Sequence, residues 1–305
     1  MTCSVALFGF PVEHSLSPVM HAAAYAHLGL DWNYQLVPCC EYADFDAGIT
    51  RLRAGESGLI AANVTTPWKR EAFAAAEDCL DDVAKHVGAA NVLFSAPGST
   101  RICCANTDGQ GAVIALSRQG VSVDASSFVL CGTGAVAKVI LLELIRGCAP
   151  SVTVLSRNRQ RAVQLVESLV FTASPSVQTR IIPLAYGDAA AEVALLAARV
   201  IIDATTVGAN SFAEPVVSPQ LLGAAQIVLD VNYGRGGSAL LRGAQARGAQ
   251  VLDGLEMLIE QAALSIEFWA GQQGLKLSAP RDVMRVAALA ECQRRGVSTI
   301  TPLAL

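Results

Sequence analysis

The chain has 305 residues, 52% of them hydrophobic and 16% charged, with a formal net charge of -4. This is enough apolar material for one or two large cores, and the lack of any basic tract excludes nucleic acid as a partner. The mean hydropathy of +0.43 is high, yet no unbroken apolar run reaches the roughly 18 residues of a spanning helix, which excludes a membrane protein of that kind.

Met1-Thr2-Cys3-Ser4-Val5 has neither the basic stretch nor the cleavage site of a secretory leader. The nine cysteines include no Cys-x-x-Cys spacing, and the four histidines complete no zinc pattern. They read as small buried hydrophobes of a reducing cytoplasm, with no metal expected.

Val5 to Gly9 predicts a short strand, followed by Pro11-Val12-Glu13-His14-Ser15-Leu16-Ser17-Pro18. Ser17-Pro18 reads as a hydroxyl cap and a first-turn proline, opening a helix from Val19 to Leu28 that Gly29 closes. Ser15 adds a second hydroxyl that capping does not require, so this turn is a candidate carboxylate or phosphate site. Trp32 to Val37 predicts a strand and Phe45 to Ala54 a helix.

The apolar run Gly58 to Ala62 predicts a buried strand leading into Asn63-Val64-Thr65-Thr66-Pro67-Trp68-Lys69. Thr66 then Pro67 reads as an N-cap and a first-turn proline. That puts Lys69 in a first helical turn, at the dipole end that disfavours a cation. A lone lysine there is most simply a solvated surface group. The polar neighbours and the recurrence of such clusters at other strand ends point instead to a site that needs an ammonium.

Glu71 to His86 reads as mostly helical. Ala89 to Phe94 carries Asn91 inside an apolar run, and a buried amide must find partners. Ile102 to Ala105 predicts a strand ending in Asn106-Thr107-Asp108-Gly109, before a helix from Gly111 to Gln119. Asp108 reads either as that helix's cap or as a functional carboxylate. The alternation is α/β, with polar residues at the C-terminal ends of strands, where open sheets of this class bind ligands.

After a turn-rich stretch from Val121 to Ser127 comes Phe128-Val129-Leu130-Cys131-Gly132-Thr133-Gly134-Ala135-Val136-Ala137. This is strand, glycine turn, helix, with Gly132, Gly134 and Ala137 on the three fingerprint positions of a dinucleotide site. At the end of the next strand, Ser151 to Leu155, an NAD site usually carries Asp or Glu. Here stand Ser156-Arg157-Asn158-Arg159 and then Arg161, which suits a 2′-phosphate and hence NADP. Val200 to Asp203 and Ile227 to Val231 predict further strands, and Leu240 to Arg247 a helix. Val251-Leu252 is a last short strand before Asp253-Gly254-Leu255-Glu256-Met257 opens a long helix carrying Gln261. A final helix from Arg281 to Arg294 precedes the tail Thr299 to Leu305.

Taken in order, these motifs resemble the shikimate dehydrogenase family, from Phe8 to Gly271. Gly9 to Pro18, with His21, is similar to its substrate-carboxylate motif, and Asn63 to Lys69 to its catalytic-lysine motif. Asn106-Thr107-Asp108 is similar to its catalytic-aspartate motif, and Gly254 to Ala263 to its closing helix. Ala61, Val92, Ala135, Ala209 and the proline-free run Gly234 to Gly237 depart from the usual pattern, and none removes a proposed catalytic group.

The resemblance implies two α/β domains. Residues 1-108 with 254-305 would bind substrate, and 109-253 would form a Rossmann-like NADP domain on a parallel sheet. It implies Lys69 and Asp108 as the catalytic pair, Ser15 and Ser17 on the substrate carboxylate, and Thr65, Asn91 and Gln261 on ring hydroxyls, with Tyr233 lining the same pocket. Cofactor contacts would come from Gly132, Thr133, Gly134, Ala135, Ser156, Arg157, Arg161, Thr205, Val231 and Gly254. The activity implied is reversible NADPH-dependent reduction of 3-dehydroshikimate to shikimate, in a cytoplasmic monomer or homodimer. A quinate-accepting relative and a non-catalytic NADP-binding regulator are the alternatives. The serine pair and the arginines favour shikimate with NADP over the first, and intact Lys69 and Asp108 argue against the second.

Overall fold

The computed structural model describes residues 3–95, 98–170, 179–209, 213–234 and 236–300. Arg235, inside the Gly234 to Gly237 run, and the tail residues 301–305 lie outside them. The chain divides into two units. One runs up to Thr107 and includes Ile259–Glu291, and the other is Asp108–Leu258 with the chain from Cys292 onward.

The first unit begins β1 (Cys3–Gly9), α1 (Ser17–Leu28), β2 (Trp32–Pro38), α2 (Tyr42–Ala54), β3 (Leu59–Val64) and α3 (Lys69–Ala75). It continues with β4 (Asp78–Cys79), α4 (Asp82–Val87), β5 (Val92–Ser95) and β6 (Ile102–Ala105). The six strands form one sheet in the order β2-β1-β3-β5-β6-β4. β1 is parallel to β2 and β3, whereas β5 is antiparallel to both β3 and β6. That reversal brings the start of β5 beside the ends of β3 and β6. One face of the sheet is sealed by Phe8, Phe45, Leu52, Leu59, Leu93 and Ile102, each removing apolar surface worth about 1.5–3 kcal/mol.

The span Glu71 to His86 is not one helix. Asp78 and Cys79 pair with β6, and Asp81 starts α4 by accepting from Val83 N–H and Ala84 N–H. The two hydroxyl–proline caps are also replaced. α1 is entered from Leu16 with Ser17 already helical. α3 is entered from Trp68, after a turn that holds the cis Thr66–Pro67 bond.

The second unit starts with α5 (Asp108–Ser117), so Asp108 is the first helical residue and the helix begins three positions before Gly111. Then come β7 (Ser127–Cys131), α6 (Ala135–Arg146), β8 (Ser151–Ser156), α7 (Arg159–Val170), β9 (Arg180–Ala185) and α8 (Ala189–Ala197). β10 (Val200–Asp203), β11 (Ile227–Asp230), α9 (Ala239–Ala246) and β12 (Gln250–Leu252) complete its sheet. The order is β12-β11-β10-β7-β8-β9 with every pair parallel. The chain winds outward from β7 in one direction, then returns past it to wind the other way. The topological switch point of such a sheet lies beside its first strand.

The long helix α10 (Gly254–Gln272) gives its first residues to the second unit and the rest, from Ile259, to the first. In α11 (Arg281–Arg294), Arg281 bonds Glu260 and Glu267 of α10 at 2.6 and 2.7 Å. The chain from Cys292 groups with the second unit, whereas the sequence reading joins it to the first. Gly236 N–H donates to Ser298 O at 2.7 Å and Ile300 N–H to Asp253 Oδ2 at 3.3 Å.

Candidate active site

The motifs of the first unit meet at one edge of its sheet. Phe10 N–H donates to Thr66 O and Thr65 N–H to Phe8 O, which ties the loop after β3 to the loop after β1. Gly9 makes this approach feasible, since a Cβ there would lie 2.3 Å from Thr65 Cγ2 and 3.0 Å from Thr66 O. Ser17 N–H donates to Ser15 Oγ at 3.1 Å, which fixes the Ser15 hydroxyl at the start of α1, where Ser17 stands. Ser17 is buried and Ser15 half-buried.

Lys69 is fixed from its neighbour. Trp68 stacks on Phe45 with centroids 5.6 Å apart, and its Nε1–H donates to Cys39 O at 2.7 Å. Ala90 N–H donates to Lys69 O, which joins the start of α3 to the segment carrying Asn91. The side chain of Lys69 is half-buried. α3 has only seven residues and carries Glu71 in its first turn, so the dipole opposing Lys69 is that of a short helix.

Asn91 and Gln261 are brought together as expected. Asn91 Nδ2 donates to Gln261 Oε1 at 3.2 Å and to Thr107 Oγ1 at 3.0 Å, and Thr107 N–H donates to Asn91 Oδ1 at 2.8 Å. Asp108, buried, follows Thr107 directly in the chain. His21 does not face this edge as a charged ligand. It is fully buried and stacks on Tyr34 at 4.0 Å, and burial pushes its pKa down to about 3, so the ring is neutral.

Three members of this cluster are absent from the sequence-derived candidates. Thr107 and Asn63, whose Nδ2 donates to Asn91 O, enter the sequence analysis only as parts of motifs, and Ser265, whose Oγ donates to Gln261 O at 2.9 Å, not at all. The one local signal for Ser265 is its spacing, four residues after Gln261 and therefore on the same helical face.

In the second unit the cofactor candidates stand at consecutive strand ends. Gly132 follows β7 with φ 110°, and a Cβ there would lie 2.9 Å from Ala204 O and 3.2 Å from Thr205 Cγ2. Thr133 leads to Gly134, the N-cap of α6, which makes no side-chain capping bond, and α6 opens at Ala135 with no acidic residue in its first turn. Backbone N–H groups at such a start suit an anion.

At the end of β8, the buried Ser156 hydroxyl accepts from Asn158 N–H, while Arg157 and Arg161 beyond it are exposed. Thr205 N–H donates to Asp203 Oδ1, and Thr205 O accepts from Asn232 Nδ2. Gly254 N–H donates to Asn232 O, which brings the start of α10 against the Val231 end of β11. Tyr233, the remaining substrate-pocket candidate, belongs to this unit and is 37% exposed.

Three carboxylates line the same strand ends. Asp203 and Asp230 are register partners, and Asp253 follows β12 beside them. Burial pushes Asp203 and Asp253 up to about 7, with Asp230 adding repulsion to both, and burial also raises Asp230. Among the described residues no cluster of His, Cys, Asp or Glu is arranged to hold a metal ion.

A parallel sheet wound outward from a glycine turn, with arginines where a ribose-binding carboxylate would stand, defines a dinucleotide-binding α/β protein. The description "Shikimate dehydrogenase substrate binding domain" fits residues 7–93. The shikimate dehydrogenase (NADP(+)) of Symbiobacterium thermophilum is 35% identical over 288 residues, covering 93% of this chain and 92% of its own. The chain belongs to the shikimate dehydrogenase family. The shikimate 5-dehydrogenase of Thermus thermophilus, solved in complex with NADP(H) and shikimate, superposes with a TM-score of 0.77. It is 27% identical, over 94% of this chain and 99% of that one. The ligand-free 5-ketofructose reductase of Gluconobacter sp. strain CHM43 shares the fold, with a TM-score of 0.81 at 22% identity over 95% and 99% of the two chains.

Proposed function

We propose that this protein is an NADP-dependent shikimate dehydrogenase, which reversibly reduces 3-dehydroshikimate to shikimate on the route to chorismate and the aromatic amino acids. The observation that carries this reading is the strand-edge constellation of the first unit. A turn carrying two serines, a lysine that follows an anchored tryptophan and two interlocked amides lie at one edge, in a chain of this family.

In this reading Ser15 and Ser17 hold the carboxylate, and Thr65, Asn91 and Gln261 bond ring hydroxyls, with Tyr233 lining the pocket. When bound, NADPH supplies the hydride. Lys69, as an ammonium, polarises the ketone oxygen and donates the proton the resulting alkoxide needs. Asp108 orients Lys69 and bonds the neighbouring substrate hydroxyl.

The residues of the second unit suit NADP. The uncapped start of α6 takes the pyrophosphate, Gly132 to Ala135 let it approach, and Arg157 and Arg161 beside Ser156 take the 2′-phosphate. Thr205, Val231 and Gly254 line the remaining strand ends. The nine free cysteines and the lack, among the described residues, of any helix long and apolar enough to cross a membrane fit a cytoplasmic enzyme, working as a monomer or homodimer.

Turnover assays with shikimate and NADP, then with quinate and NAD, test the reading. Turnover confined to shikimate and NADP is expected. Preference for quinate would move the enzyme to a related substrate, and no turnover with either would leave a cofactor-binding regulator.

A further inference from the structure

The proposed substrate amides are held by a buried polar chain that no apolar core requires. Ser265 and Asn63 lie on α10 and at the end of β3, 202 residues apart in sequence, and Asn63 Nδ2 donates to Ser265 Oγ at 3.1 Å. Ser265 Oγ in turn donates to Gln261 O at 2.9 Å, and Thr107 Oγ1 donates to the same carbonyl at 3.1 Å. Tyr34 O–H donates to Asn63 Oδ1 at 2.9 Å. Asn63, Asn91, Thr107 and Ser265 are each buried, Ser265 completely.

The direction of every bond is set by backbone groups. A backbone N–H can only donate and a carbonyl only accept. Thr107 N–H therefore requires Asn91 to present Oδ1 to it, and Asn91 Nδ2 is turned toward Gln261 Oε1. Gln261 is thus oriented with its Nε2 end, a donor, on the other side of the amide. The carbonyl of Asn91 accepts from Asn63 Nδ2 at 3.2 Å. This fixes the Asn63 amide as well, so its Oδ1 takes the Tyr34 hydroxyl and its Nδ2 reaches Ser265. Buried polar groups are costly unless satisfied, and satisfied networks specify one arrangement.

We propose that Ser265, with Asn63, is a positioning residue for substrate recognition. It locks the Gln261 turn of α10 against Asn91, so that Gln261 meets the substrate as a hydrogen-bond donor to a hydroxyl oxygen. This rests on the reading that Gln261 contacts the substrate. Ser265 itself touches neither substrate nor cofactor, and it acts through Gln261.

The test is a double-mutant cycle of Ser265→Ala and Gln261→Ala, read as steady-state constants for shikimate and NADP. Ser265→Ala is expected to raise the KM for shikimate about tenfold, the scale of one misplaced hydrogen bond to a ligand, with kcat and the KM for NADP within about two-fold. In the Gln261→Ala background it adds nothing, because residues acting through one another are not additive. An unchanged shikimate KM in Ser265→Ala, or additive effects in the double variant, overturns the proposal. An unchanged KM in Gln261→Ala instead overturns the reading beneath it. If Ser265→Ala yields no folded protein, Tyr34→Phe carries the same cycle from the far end of the chain. A smaller rise in shikimate KM that vanishes in the Gln261→Ala background supports the proposal, and no rise or an additive one overturns it.

Discussion

Two glycines of one turn should fail in different ways. Gly132 has φ 110°, and its missing Cβ would press on Ala204 O at 2.9 Å, Ala204 C at 3.1 Å and Thr205 Cγ2 at 3.2 Å. Neither side can retreat easily, because Gly132 N–H donates to Leu155 O at 2.8 Å and Ala204 N–H to Cys131 O at 2.9 Å. A positive φ at alanine costs about 1–2 kcal/mol, and shifting the backbone of Ala204, held through its N–H, is strain of roughly 1–3 kcal/mol. Gly132→Ala should therefore lose about 2–5 kcal/mol and lower the melting temperature of the second unit by about 4–20 °C, at about 2–4 °C per kcal/mol.

Gly134 is the contrast. Its φ is -79°, and a Cβ there meets nothing within 4 Å. Gly134→Ala should melt within about 4 °C of the parent, since an N-cap change from Gly to Ala is worth about 1 kcal/mol or less. It should nevertheless weaken NADPH about tenfold or more, because the methyl group occupies the approach of the pyrophosphate. Calorimetry without cofactor and fluorescence titration with NADPH read the two effects separately. A Gly132→Ala protein that melts like the parent, or a Gly134→Ala protein that binds NADPH like it, refutes the assignment of this turn.

Other outcomes follow from the same geometry. Arg157→Ala should raise the KM for NADP much more than for NAD, and equal effects would remove Arg157 from the 2′-phosphate. Ser17→Ala should weaken shikimate by roughly 1–3 kcal/mol, as for a lost bond to a charged group, without touching the KM for NADP. A methyl ester of shikimate that binds as well as the acid would contradict the carboxylate site. Asp203 and Asp253 are held by burial at about 7 against an ordinary 3.8. The folded state thus keeps protons that the unfolded chain releases. The stability they contribute is complete below the unfolded pKa and lost as pH rises through about 7. The melting temperature should fall between about pH 5 and about pH 8, the upper part of that window, and Asp253→Asn should flatten the fall. A slope unchanged in Asp253→Asn would show that this carboxyl is not the source.

Much of this is legible from local pattern. Apolar runs bounded by polar loops locate the central strands, and the glycine turn with its arginines sets the character of the second sheet. The buried amide of Asn91 announces that it needs partners, and Thr107 and Gln261 supply them. The failures have physical causes. Ser17 and Thr66 read as caps, but Ser17 is already inside α1, which is entered from Leu16, and Thr66 sits in a cis-proline turn tied to Phe10 N–H through its carbonyl, so that α3 starts only after Trp68.

Local pattern does not resolve the stretch from Arg159 to Ala197 into α7, β9 and α8. Pro183 argues against a strand, yet β9 is the outermost strand of its sheet, where a missing N–H is tolerated. α8 is so rich in alanine that it shows no polar period. Nothing in the pattern breaks the span from Glu71 to His86, because Asp81 marks the break through its bonds to Val83 and Ala84 rather than through glycine or proline. The Asn63–Ser265 link leaves no trace, since residues 202 apart share no local pattern.

The role of Lys69 is best tested by pre-steady-state and steady-state turnover of Lys69→Met with shikimate and NADP. Methionine keeps much of the side-chain volume and removes the charge. An ammonium that stabilises charge only as hydride moves belongs to the transition state, so kcat should fall by about two orders of magnitude or more while the KM for shikimate changes only modestly. Asp108→Asn should also be slow, and the double variant little worse than the slower single one, as for groups that act as a unit. A Lys69→Met enzyme with near-normal kcat would contradict the catalytic pair, and with it the reading of this strand edge as the place where the ketone is reduced.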